Sequence, residues 1–369
     1  MLDQEWAPFD KYACLVNEFT SVFSSDIFGS FNINPEVFIQ LQQFRQSTTT
    51  IFPRLRAFSL PPPLIIPPHF MQPFLSLNLR RVTLNTVLDP AYCTSSYLMQ
   101  ILHQSPQISH LRLYGPISSK QINLITSFKH LVEIQLYFSS SWAYSSAQIL
   151  TVKAALSTFL TQCHLLPRLT SFLLSISFDI DHICGQTPLS TIKSLEIHGR
   201  PTTIKTLLSH SGAVETVVLS SNDATTTDWL HCSEILLRTS AATLRSFTFV
   251  SNDFVHLSRC ISPLLNIRHL ESFRVILHNG ILLDLDDVDI RNIVHAWPLL
   301  QRLVLPTEGL SVSCFNSLAQ LEHLHILHLT VSHEIARLPM DAFPSRDSLV
   351  HKCMTRVFTR AQLYGRTTY

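Results

Sequence analysis

Glycine is scarce: eight in 369 residues, with no two inside ten positions of each other. That spacing excludes the dinucleotide fingerprint G-x-G-x-x-G, the P-loop and the G-x-S-x-G nucleophile elbow, which all need close glycines where backbone meets ligand or turns sharply. Charge is scarce as well. Only 14% of residues are charged and the formal net charge is +1, which excludes a nucleic-acid footprint spread over the molecule. No apolar run approaches about eighteen residues, so no membrane-spanning helix is expected. The opening MLDQEWAPFD lacks the basic-then-apolar order of a signal peptide. The eight cysteines, at 14, 93, 163, 184, 232, 260, 314 and 353, form no C-x-x-C, and no asparagine opens N-x-[ST]. Scattered reduced thiols without sequons fit a cytoplasmic or nuclear protein.

What is present is a repeating pattern, seen at its clearest in DDVDIRNIVHAWPLLQRLVL, residues 286–305. Asp286 or Asp287 can accept bonds from the free N–H groups of a helical first turn. Ile290, Ile293, Val294 and Trp297 follow at i, i+3, i+4 and i+7, one apolar face. Pro298 disfavours helix at Trp297. Leu300, Leu303 and Leu305 then make L-x-x-L-x-L, the strand signature of a leucine-rich repeat.

With Ile, Val and Phe allowed, such units begin at Leu55, Leu79, Ile108, Leu131, Leu169, Ile192, Val214, Leu244, Leu270, Leu300 and Leu324. The ten intervals run from 22 to 38 residues and average 27, within the range of that repeat. Intervening segments such as 95–106, 145–167, 225–240 and 253–267 read as helices, and the long one explains the 38-residue interval. No unit can bury its strand and helix faces alone, so stacked units must share a core. The expected fold is therefore α/β: a horseshoe-like leucine-rich-repeat solenoid over 51–340, with a parallel concave sheet, convex helices and about eleven irregular units. Only Asn222 and Asn252 occupy the position where the repeat uses asparagine to satisfy buried backbone.

Both ends are expected to be helical caps. Phe9, Tyr12, Val16, Phe19 and Phe23 fall on one helical face, and Asn34-Pro35 opens a second helix, so 1–50 reads as an N-terminal cap. Residues 341–369 read as a C-terminal cap and tail, with Lys352, Arg356 and Arg360 in an outward row. That row is a solvated face or a contact for an acidic partner or membrane surface. PPPLIIPP (61–68) is a stiff extended segment without P-x-x-P.

No catalytic constellation, cofactor or metal is expected. SHEIARL (332–338) begins like a zincin helix but carries Arg337 where the second histidine is required. His323, His325 and His328 cluster in HLHILHL, yet strand alternation sends neighbours to opposite faces. If the sheet forms, one residue per unit points to the concave face: Ser59, Thr83, Arg112, Gln135, Leu173, Glu196, Val218, Thr248, Arg274, Val304 and His328. The polar part from Arg112 through Gln135 to Glu196, with Tyr137 and His198 beside it and Arg274 farther along, is the candidate protein-binding surface. An unused concave face is the alternative. A monomer with a protein partner, no nucleic acid and no membrane contact is expected.

The block LDDVDIRNIVHAWPLLQRLVL resembles the leucine-rich-repeat region of mushroom-type fungal F-box proteins, where an acidic start, a short helix, A-W-P and a leucine strand recur. FPRLRAFSL (52–60), NLRRVTL (78–84), TLRSFTF (243–249) and PLLNIRHLESFRVIL (263–277) are similar to strands of the same group, so the likeness covers roughly residues 9–340. It implies a non-enzymatic substrate receptor of a cullin ubiquitin ligase. In that family an F-box of roughly forty-five residues docks a Skp-type adaptor and the repeats capture substrate. This sequence departs there: NPEVFIQL (34–41) is a faint echo only, and the Leu-Pro-x-Glu-type start is missing. The expectation is a degenerate member, or one whose gene has been delineated without its F-box exon, that meets the adaptor only if an F-box is restored. The alternative is a stand-alone repeat scaffold or inhibitor.

Overall fold

The computed structural model describes residues 3–20, 50–59, 74–85, 91–138, 145–180, 189–252, 256–278, 283–308, 310–311 and 313–329. The chain divides into two compact units, Met1–Thr191 and Ile192–Tyr369. The expected cap helices at 34–44 and 348–361, the proline-rich segment and the 332–338 motif lie outside the described residues.

The first unit holds six strands in chain order, each parallel to the next: β1 (Glu18–Thr20), β2 (Ala57–Ser59), β3 (Arg81–Asn85), β4 (His110–Tyr114), β5 (Glu133–Tyr137) and β6 (Ser171–Ser175). The second unit repeats the design with β7 (Ser194–His198), β8 (Thr216–Ser221), β9 (Ser246–Ser251), β10 (Ser272–Leu277), β12 (Arg302–Leu305) and β14 (Ile326–Leu329). A separate two-stranded parallel ribbon pairs β11 (Leu283–Asp284) with β13 (Thr307–Glu308). Parallel neighbours require a crossover between them. Helices supply several: Ala91–Gln104, Ser119–Ile125 and Ser146–Gln162 in the first unit, and Pro201–Ser209, Thr226–Ser240 and Asp287–Ala296 in the second.

The eleven unit-opening residues, Leu55 to Leu324, are all buried, none more than 1% exposed. One backbone device recurs with them. The carbonyl three residues before each central position on the sheet accepts two consecutive N–H groups of the next strand. Arg56 does so for Arg80 and Arg81, and Glu215 for Arg245 and Ser246; the same geometry occurs at ten carbonyls, five in each unit. Such strict recurrence of strand register, buried leucine and crossover defines a leucine-rich-repeat solenoid fold.

Helix starts follow local chemistry. Asp286 accepts from the Val288 and Asp289 amides, and Asp289 reaches back to the Asp286 N–H, a reciprocal capping box. Ser118, Ser145 and Thr225 open their helices in the same way. Trp297 ends the Asp287–Ala296 helix fully buried, and its indole N–H donates to the Leu264 carbonyl of the preceding repeat at 3.1 Å. Pro263 falls between helix Leu257–Ile261 and the 3₁₀ turn Leu264–Asn266, so that crossover is not one continuous helix.

One expectation is corrected. Residues 9–23 do not form one helix: it ends at Ala13, and 18–20 become β1, paired to β2. Val16 and Phe19 thus occupy the positions of Leu55 and Phe58, making a twelfth unit. Phe19 packs in a cluster with Phe52, Phe58 and Phe74 at centroid distances of 6.3, 5.9 and 5.4 Å. Packing the Phe19 ring against three others favours strand over an isolated amphipathic helix. At the repeat's asparagine position, Asn252 donates to the Asn222 side chain at 2.9 Å, joining two neighbouring units.

Serines take over part of the structural work. Ser76, Ser105, Ser211 and Ser240 are buried at the turn before a strand. Ser76 Oγ donates to the Leu55 carbonyl at 2.8 Å and Ser105 Oγ to the Ser76 carbonyl at 2.7 Å, tying three consecutive repeats. Each hydroxyl pairs a carbonyl that water cannot reach.

Candidate functional site

Strand pairing places the expected concave column in one register row within each unit. In the first, Ser59, Thr83, Arg112, Gln135 and Leu173 are successive partners across β2 to β6. In the second, Glu196, Val218, Thr248, Arg274, Val304 and His328 are successive partners across β7 to β14. The row is not uniformly open: Leu173 is only 5% and Thr248 only 7% exposed.

The first unit holds a connected polar group on β4 and β5. Strand alternation puts Arg112 and Tyr114 on one face of β4, and Glu133, Gln135 and Tyr137 on the same face of β5. Arg112 Nη2 donates to Glu133 Oε1 at 3.2 Å, and Gln135 Nε2 donates to the same oxygen at 2.6 Å. Tyr137 Oη donates to Gln135 Oε1 at 3.1 Å. The Tyr137 ring lies flat on Tyr114, with centroids 4.3 Å apart and planes 6° from parallel. Gly115 follows at φ 109°, a left-handed conformation that glycine adopts without steric cost, and its N–H donates to the Tyr137 carbonyl. The result is an aromatic ledge with a carboxylate-anchored guanidinium beside it. Arg112 remains 46% exposed while Glu133 is 20% exposed, so the cation is the more available partner.

His110 borders this group. Burial lowers its pKa; Glu133 opposes that, while Arg81 and Arg112 reinforce it. Its Nδ1 lies 2.8 Å from Ser109 Oγ. A hydrolytic triad also needs a group holding the other ring nitrogen and an oxyanion hole, and no hydrogen bond to such a group is found among the described residues.

The second unit holds a smaller pair. His198 Nε2 lies 2.6 Å from Glu196 Oε1 on β7, both about one-third exposed. Arg274 is on β10, three strand spacings from Glu196, roughly 14 Å at the usual inter-strand distance. Its Nε is buried with no partner in the described structure. The structure therefore joins Arg112, Gln135 and Tyr137, joins Glu196 and His198, and keeps Arg274 apart from that pair. Sequence reasoning missed Glu133 and Tyr114, the residues that link the first group. Period-two alternation from Gln135 and Arg112 would have found both.

Among the described residues no three His, Cys, Asp or Glu side chains converge as a metal site, and no helix is long and apolar enough to cross a membrane. His323, His325 and His328 are exposed. Cys232, Cys260 and Cys314 have thiol pKa values pushed up to about 12, chiefly by burial, and Cys163 is pushed higher still by burial.

No protein-family model matches this sequence, and no curated protein matches it. Among solved structures, an internalin (inlF) from Listeria monocytogenes is similar at 12% identity with a TM-score of 0.38, over 80% of this chain and 89% of that one. The repeat geometry within each unit defines the fold independently of that overlap.

Proposed function

We propose that the chain is a protein-binding leucine-rich-repeat protein that captures its partner on the open face of the first unit, and that binding rather than catalysis is its role. The observation supporting this is the hydrogen-bonded group Arg112–Glu133–Gln135–Tyr137 with Tyr114 stacked against it. Tyrosine and arginine dominate protein-interface hot spots because they offer large contact area at small entropic cost. Here hydrogen bonds and ring stacking already order much of the group, which lowers the ordering cost of binding. Glu196, His198 and Arg274 supply further polar contacts on the second unit's face.

The finer reading is that this partner is a substrate delivered to a cullin ubiquitin ligase. It rests on the likeness of the 285–305 block and neighbouring strands to F-box protein repeats. The stand-alone scaffold or inhibitor is the competing reading. A cytoplasmic or nuclear monomer without cofactor, nucleic acid or membrane contact fits either. Co-purification from a mushroom-type fungal extract separates them. The ligase reading expects no Skp-type adaptor with the present sequence and adaptor recovery once an intact F-box is fused ahead of Phe9, with the repeat-bound partner unchanged. A fusion that recovers adaptor but whose repeat-bound partner is never ubiquitylated supports the scaffold.

A further inference from the structure

The ten carbonyls that accept paired N–H groups mark one equivalent position in ten of the repeats, at the edge where the chain enters the strand. In the second unit this edge alternates in sign and neutralises itself. Lys193 pairs with Glu215 at 3.0 Å and Arg245 pairs with Glu271 at 2.6 Å. In the first unit the same positions are Asn17, Arg56, Arg80, Ser109 and Val132, with no acid among them.

The surroundings compensate only in part. Between residues 50 and 137 the sequence has seven lysines and arginines against two acids, and residues 3–20 add Lys11 against Asp3, Glu5, Asp10 and Glu18, which leaves the region net basic. Arg54 and Arg56 are exposed, and neither has an acidic partner among the described residues. Arg80 spends its guanidinium on the Leu77 and Leu79 carbonyls, so it adds charge without being available. Arg81, on the neighbouring row, pairs with Glu18 at 3.0 Å, but both side chains are more than half exposed, and such a pair exchanges partners at little cost.

We propose that this arginine edge, at Arg54, Arg56 and Arg81, receives an acidic polypeptide segment, so that the partner of the first unit is anionic where it crosses onto the open face. The proposal rests on the binding role assigned to that face and adds the chemical class of what binds. Guanidinium groups take carboxylates in paired, planar hydrogen bonds. A peptide fits better than a nucleic acid because Glu18 and Glu133 border the strip. A regular phosphodiester backbone cannot avoid them, whereas a peptide places its carboxylates selectively.

The test uses the full chain and a fluorescein-labelled Glu/Gly peptide, read by anisotropy. A Lys/Gly peptide of equal length and a single-stranded oligonucleotide are the comparators. Arg56→Glu and Lys193→Glu change net charge equally but at opposite kinds of edge, and both sites are exposed enough to leave folding intact, which a circular-dichroism melt verifies. Arg56→Glu is expected to weaken the acidic peptide about tenfold or more, and Lys193→Glu to leave it within about twofold, as local complementarity requires. Added salt should weaken it as the screening length shortens. Undetectable peptide binding, equal losses in the two variants, or oligonucleotide binding as tight as the peptide would overturn the proposal. A Tyr114→Ala/Tyr137→Ala chain should retain the peptide, because the peptide meets the edge alone. Loss of partner capture in that chain tests the binding-face reading separately.

Discussion

Removing the Trp297 indole should reveal how far neighbouring repeats depend on one another. The ring is fully buried, 4.8 Å from Phe273, and its N–H reaches back to the Leu264 carbonyl of the preceding repeat. Trp297→Ala is expected to cost about 3–5 kcal/mol, the usual loss for an aromatic deleted from a core. Trp297→Phe keeps most of the volume and loses the hydrogen bond. The Leu264 carbonyl still accepts the Ile267 N–H at 2.9 Å, so it is not orphaned and the loss should be only about 1 kcal/mol. Trp229 provides the contrast: it is 2% exposed, but its indole nitrogen has no partner among the described residues. Trp229→Phe removes an unsatisfied buried donor and should cost less than Trp297→Phe. Urea unfolding of the full chain, followed by far-ultraviolet circular dichroism, gives all three values. A loss below about 1 kcal/mol for Trp297→Ala, or equal losses for the two Phe variants, would refute this account of the packing.

Three other outcomes are expected. Ser105→Ala should destabilise by about 0.5–1.5 kcal/mol, because the buried hydroxyl that bonds the Ser76 carbonyl is lost; an unchanged urea midpoint would argue against the serine ties. Burial raises the Asp228 pKa, but bonds from Thr225 and Lys205 outweigh it and leave it below the ordinary value. Its contribution is therefore complete above the ordinary carboxylate range and lost as pH falls through the depressed value; the stability gap between wild type and Asp228→Asn should close on acidification, and a gap independent of pH would contradict the assignment. Iodoacetamide at mildly alkaline pH, followed by peptide mapping, should leave Cys163, Cys232, Cys260 and Cys314 unmodified until the chain is unfolded, because a buried protonated thiol is a poor nucleophile.

The buried leucines were legible because each unit repeats a spacing that only a shared core satisfies, and Leu300, Leu303 and Leu305 carry that spacing without interruption. The column containing Arg112 and Gln135 was legible for a related reason: period-two alternation fixes a face once the strand is known. The strand at Glu18–Thr20 was not. Phe9, Tyr12, Val16 and Phe19 are spaced for a helix as well as for a repeat, and the choice is made by pairing with β2 and by Phe52, Phe58 and Phe74. Ser76 and Ser105 were hidden by polarity, because a buried serine looks like a turn residue until its carbonyl partner is seen. The link through Glu133 needed two strands in register, which no single unit displays.

The binding role of the first unit's open face is tested most directly by quantitative affinity purification from an extract of the source cells with three forms of the full chain: wild type, Tyr114→Ala/Tyr137→Ala, and Lys153→Ala on the helix Ser146–Gln162. A protein recovered at matched bait levels by wild type and Lys153→Ala, and reduced about tenfold or more by the tyrosine variant, is the expected result for a hot-spot pair. Equal recovery of every captured protein by all three forms would contradict it.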